Sequence, residues 1–132
     1  MDWQPTSYQL DRAAQMTEDL RTSTKAQWRD ARERLAAAGV APEDAVLADW
    51  RAEGQHTMWG TIATRDMRLF AFGVTYHYSE SGEPLEEGVG WIQGWREVPA
   101  ENPRLTPAGY TNSRSQTLII TQSILGREFK GG

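Results

Sequence analysis

The sequence predicts an α+β domain: an N-terminal helical layer of two or three helices packed on a curved antiparallel sheet of about four strands. Three observations predict it. Alanine, glutamate, arginine and leucine dominate the chain up to residue 54, with glycine rare before Gly39. From Gln55 onward, β-branched and aromatic residues alternate. The 132 residues, 39% of them hydrophobic, suffice for one core and leave no room for a second domain.

The first helix is expected from about Tyr8 to Arg21, capped by Thr6 or Ser7, with Leu10, Ala13, Thr17 and Leu20 as a thin buried stripe. A second helix carries stronger signals. Thr24-x-x-Gln27 reads as a capping box, Trp28, Ala31, Leu35 and Ala38 form one face, and Gly39 supplies a C-terminal stop. Pro42-Glu43-Asp44 favours a short third helix over Glu43–Ala52, by a small margin over a strand with Val46, Ala48 and Trp50 on one face.

Residues 56–64 and 67–78 predict a hairpin turning at Arg65-Asp66. In the returning strand Phe70, Phe72, Val74, Tyr76 and Tyr78 share one face, and Leu69, Ala71, Gly73, Thr75 and His77 the other. A polar loop over 79–88 leads to a third strand, Val89–Val98, with Trp91, Gln93 and Trp95 opposite Ile92, Gly94 and Arg96. Pro99, Pro103 and Pro107 make the next stretch an irregular connection, and Thr117–Leu125, rich in β-branched residues, predicts a closing strand. The rival there is a helix with Leu118, Gln122, Leu125 and Phe129 on one side. Gly60, Gly73 and Gly94 fall one to a strand, which predicts bulges or bends in a sheet wrapped over the helices.

Composition narrows the chemistry. With no cysteine, disulfides, thiolate nucleophiles, Cys-type zinc sites and iron–sulfur clusters are excluded. Met1-Asp2-Trp3-Gln4-Pro5 has neither a basic nor an apolar leader region and no later run is long enough to span a bilayer, so a cytoplasmic protein without membrane contact is expected. The net charge of −4 comes from interleaved residues such as Arg29, Asp30, Arg32, Glu33 and Arg34, a solvated helix face, and nucleic acid is not an expected partner. Nucleophile elbows, phosphate-binding glycine loops and His-Glu-x-x-His are absent. His56 and His77 come near one end of the predicted hairpin as diagonal neighbours, but Glu53 and Glu80 are the only acids nearby in sequence, so no metal and no cofactor are expected.

Six tryptophans, Trp3, Trp28, Trp50, Trp59, Trp91 and Trp95, are many for this length. The leading expectation is a non-catalytic protein-interaction domain, of the kind made as small bacterial or phage accessory factors, inhibitors or immunity proteins. It would bind a protein partner, or a second copy of itself, through Trp91, Trp95, Tyr76 and Tyr78, with Glu83, Glu86 and Glu87 as a polar rim. The alternative, architecturally similar to NTF2-like cones, is a small-ligand binder or isomerase/cyclase-like enzyme using His56 or His77 for proton transfer beside Trp59 and Tyr76. The terminal Gly131-Gly132 resembles the tail of ubiquitin-like modifiers and sulfur carriers, which implies a carrier role as a third reading. That resemblance covers only the last few residues, and the leading helices depart from the β-strand opening of that fold.

Overall fold

Thr6 begins helix α1 (Ser7–Thr22) with a reciprocal cap: its hydroxyl accepts the Gln9 N–H, and the Gln9 side chain accepts the Thr6 N–H. The computed structural model describes residues 3–54, 56–76, 89–99 and 114–130, with side chains to 127. Helix α2 (Ala26–Ala37) buries Trp28, Ala31 and Leu35 as its spacing predicts. It stops at Gly39, where φ is +81° and the Gly39 and Val40 N–H groups return to the Ala36 and Leu35 carbonyls. The capping box expected at Thr24–Gln27 does not form. Lys25 is the N-cap, without a side-chain bond, because Gln27 is buried and its Oε1 accepts the Gly90 N–H at 3.2 Å.

The third helix also gives way. Pro42–Asp44 makes one 3-10 turn, and Ala45–Glu53 is strand β1. Strands β2 (Thr57–Thr64), β3 (Leu69–Tyr76) and β4 (Gly90–Glu97) follow in an open antiparallel sheet of order β1-β2-β3-β4. The β2–β3 loop is centred on Asp66, since Ala63 pairs with Leu69, and Met67 takes a positive φ of 67°. The expected closing strand is helix α3, Arg114–Lys130. Its β-branched residues fall at helical spacing, burying Thr117, Ile120, Thr121 and Ile124, and the Thr121 hydroxyl donates to the Thr117 carbonyl one turn back.

The two sheet faces bury different helices. On the inner face Leu47, Trp50, Ile62, Phe70, Phe72, Val74 and Ile92 join Leu20, Trp28 and Leu35 in the main core. On the outer face Val46 and Ala48 pack with Ile120 and Ile124 of α3, while Ala63, Leu69 and Ala71 pack with Leu118. Helix α1 lies along the β1 edge and contributes Leu20 to the inner cluster and Ala13 to the outer one. It also takes the place of a neighbouring strand: Thr17 Oγ1 accepts the Leu47 N–H at 2.9 Å, and Arg21 donates to the Ala45 carbonyl at 3.1 and 3.2 Å. Arg32 ties α2 to the end of α1 through the Leu20 and Ser23 carbonyls, both at 2.8 Å.

Both edge strands contain a bulge, in neighbouring rows of the sheet. In β1 the register shifts between Leu47 and Asp49, and in β4 it shifts opposite Ala71–Gly73, at Gly94, whose φ is +65°. Each extra residue reverses the alternation beyond it. Trp50 therefore leaves the face of Val46 and Ala48, Trp95 leaves the face of Trp91, and both indoles turn inward beside Phe72, with centroids 6.0 and 5.4 Å from its ring. Between them Gly60 is required: a Cβ there would lie 2.9 Å from both Trp50 and Phe72.

Gly60→Ala is therefore expected to destabilise the fold by about 1–3 kcal/mol through overpacking. Gly126→Ala, where an added Cβ meets nothing within 4 Å of an α3 interior position, should stabilise it by about 0.5–1 kcal/mol. Urea unfolding of the two variants checks the opposite signs. A second expectation concerns acid. Arg68 forms a fork with Glu97 at 2.9 and 3.0 Å, and this hydrogen bonding holds the Glu97 carboxyl below its usual range. The stability that Glu97 contributes is present above the ordinary glutamate pKa and is lost as pH falls through the depressed one. Wild type and Glu97→Gln should therefore differ slightly at pH 7 and low salt and converge in strong acid, read as urea midpoints.

Candidate interaction surface

Register places Arg51, Trp59 and Gly73 in one cross-strand row of the outer face, beside Gln93, and Glu53, Thr57, Thr75 and Trp91 in the next. Helix α3 packs on the other half of this face, over Val46, Ala63, Leu69 and Ala71. Among the described residues these two rows are half open: Arg51, Glu53, Trp91 and Gln93 are exposed, Thr57, Trp59 and Thr75 are partly buried, and Gly73 is buried against Trp59.

Trp59 lies across two glycines. A Cβ on Gly73 would meet its six-membered ring at 2.8 Å, and one on Gly94 would meet it at 3.6 Å. Of the strand glycines predicted as bulges or bends, Gly94 forms the β4 bulge, and all three also seat aromatic rings, one on the inner face and two on the outer. Trp91, 39% exposed, stands on the same side as Trp59. Where the covered and open halves meet, polar atoms are buried without hydrogen-bond partners: Asp49 Oδ2, Thr61 Oγ1, Trp59 Nε1 and, on α3, Thr117 Oγ1. Asp49 and Thr61 are cross-strand partners, and the Asp49 side chain is 10% exposed, held through Oδ1 by Arg51 Nε at 3.1 Å.

The remaining sequence-predicted residues are scattered. Trp95 is partly buried on the inner face against Phe70 and Phe72, with the Arg34 guanidinium 5.8 Å above its ring, so the bulge separates it from Trp91. Tyr76 packs against the inner core and borders a small cavity with Met16, Gln27 and Trp28. His56 lies in the β1–β2 turn, its carbonyl accepting the Tyr76 N–H at 2.8 Å. Tyr78, His77, Glu83, Glu86, Glu87, Gly131 and Gly132 lie outside the described residues. Among the described residues no three metal-ligating side chains come together, and no helix is long and apolar enough to cross a membrane.

A second feature was not legible as a site in the sequence. A groove of about 640 Å³ lies between the first turns of α1 and the β1 edge, lined by Thr6, Tyr8, Gln9 and Arg12 on one side and by Leu47–Ala52 on the other. Comparison of the chain with protein-family models, curated proteins and solved structures returns no match in any of the three.

The unpartnered Thr61 hydroxyl gives a direct check on the polar seam. Replacing a dry, unbonded hydroxyl by a methyl of similar shape removes a desolvation cost, so Thr61→Val is expected to stabilise the fold by about 1 kcal/mol in urea unfolding. A loss of stability would instead identify an ordered water between Thr61 and Asp49.

Proposed function

We propose that this chain is a non-catalytic protein-interaction domain, of the accessory, inhibitor or immunity type, that meets its partner with the open half of the outer sheet face. The observation that carries the reading is Trp91, exposed beside an indole that is laid flat on glycine. Tryptophan offers a large amphipathic contact area for the freezing of only two side-chain torsions, and an indole already immobilised by its seat loses little on binding. Arg51, Gln93, Thr57 and Thr75 surround the pair with polar groups able to form a rim. The inner face supports this reading over a catalytic cone, because the space between sheet and helices is filled by Trp28, Trp50, Phe70, Phe72 and Trp95.

A photo-crosslinking residue placed at Gln93 tests the proposal in the cells that make the protein. One discrete adduct, lost when Trp59→Ala and Trp91→Ala are introduced, is expected, and an adduct between two copies would make the partner a second chain. Absence of any adduct, or an adduct indifferent to both tryptophans, would refute the assignment.

A further inference from the structure

We infer that the groove between α1 and β1 takes an extended peptide bearing an acidic side chain, added to the β1 edge as a short fifth strand. This site lies along the β1 edge, meets the outer-face surface only at Arg51, and does not rest on the outer-face reading.

The outward backbone groups of β1 divide at its bulge. Before it, Ala45 and Leu47 are served by Arg21 and Thr17. After it, the Trp50 carbonyl points outward, where Arg12 Nη2 reaches it only at 3.4 Å. In an antiparallel ladder a residue whose carbonyl points away from its partner strand also turns its N–H away, and the residue two further on does the same. Trp50 and Ala52 therefore present their N–H and C=O groups to the groove with strand spacing. That pattern selects the occupant, because a polypeptide in extended conformation repeats the complementary groups at the same interval.

The walls supply the rest. Met16, Ala52 and the Tyr8 ring, 72% exposed at the mouth, give apolar contacts for one set of alternating side chains, over a floor of Ala13, Leu47 and Ile120 that is already buried. Arg12 faces the space from α1, and across it Arg51 and Asp49 pair with each other at 3.1 Å, so Arg12 is the cation offered to an occupant. On binding, the long bond from Arg12 to Trp50 exchanges for a peptide N–H on the Trp50 carbonyl, which leaves the guanidinium to a peptide carboxylate. The Ala48–Asp49 bulge and the α1 contacts beyond it stop the ladder, so pairing is confined to Trp50 and Ala52, about four backbone hydrogen bonds.

Two display libraries of random heptapeptides, one with a central glutamate fixed and one with a central lysine, test the inference on the full chain. The glutamate library should enrich on wild type by about tenfold or more over Ala52→Pro, which removes an outward N–H at an edge position where proline is tolerated. Arg12→Glu should reverse the preference toward the lysine library, and Trp91→Ala should select as wild type does. No enrichment, equal enrichment on Ala52→Pro, or dependence on Trp91 would overturn the site. A dimer in sedimentation that Ala52→Pro dissolves would overturn the peptide in favour of a second β1. The Gln93 crosslink is unaffected by any of these results, so failure here leaves the outer-face proposal standing.

Discussion

The inner core is organised around the place where Phe72 and Trp50 close over Gly60. On a regular sheet Trp50 and Trp95 would project outward, with Val46 and Trp91 respectively. One extra residue in each edge strand turns both indoles inward at the level of Phe72, and Trp28 from α2 meets Trp50 at 5.2 Å and the edge of Phe72 at 6.4 Å. The rings need depth that a side chain at residue 60 would occupy. Aromatic–aromatic contacts of this kind add roughly 0.5–1.5 kcal/mol each beyond their buried area, so the bulges recover in packing what they give up in ladder hydrogen bonds.

Because the bulges sort the tryptophans between faces, they also set what the outer face can present. Trp91 stays outside because the β4 bulge comes after it, and Trp59 is laid flat because Gly73 and Gly94 flank its position. Helix α1 performs a parallel task at the opposite edge. By donating from Arg21 and accepting at Thr17 it replaces a strand over half of β1, and by diverging at its first turns it leaves the other half accessible. Sheet extension is thereby limited to a few residues, which guards the edge against open-ended pairing between copies.

Much of this was legible in the sequence where local signals and packing agree. Thr6, Gly39 and the Trp28–Ala31–Leu35 stripe act as their positions predict, and so do the hairpin faces of β3, with Phe70, Phe72 and Val74 inward. β1 was misread because its first half is covered on both faces and along its edge, so Ala45, Val46, Leu47 and Ala48 run together without alternation and match a helix in composition. α3 was misread in the other direction: Thr117, Ile119, Ile120 and Thr121 favour strand locally, but Ile120, Ile124 and Leu125 form a helical stripe packed with Val46 and Ala48, and Ile119 is left on the exposed side. Gln27 left its expected cap for a partner 63 residues away, which no local pattern encodes. The opposite facing of Trp91 and Trp95 was hidden too, although Gly94 between them marked the residue responsible.

The unequal settings of the tryptophans make the protein its own optical probe. Trp28 and Trp50, held at a fixed tilt of 53° and 5.2 Å apart, are close enough for their electronic transitions to couple, and that dichroic signature reports intact tertiary order at the centre of the molecule. Trp59 and Trp91 emit from the solvent side, where polarity changes with whatever covers them. Folding and any covering of the outer face can therefore be followed in one unlabelled sample, each through a separate set of indoles.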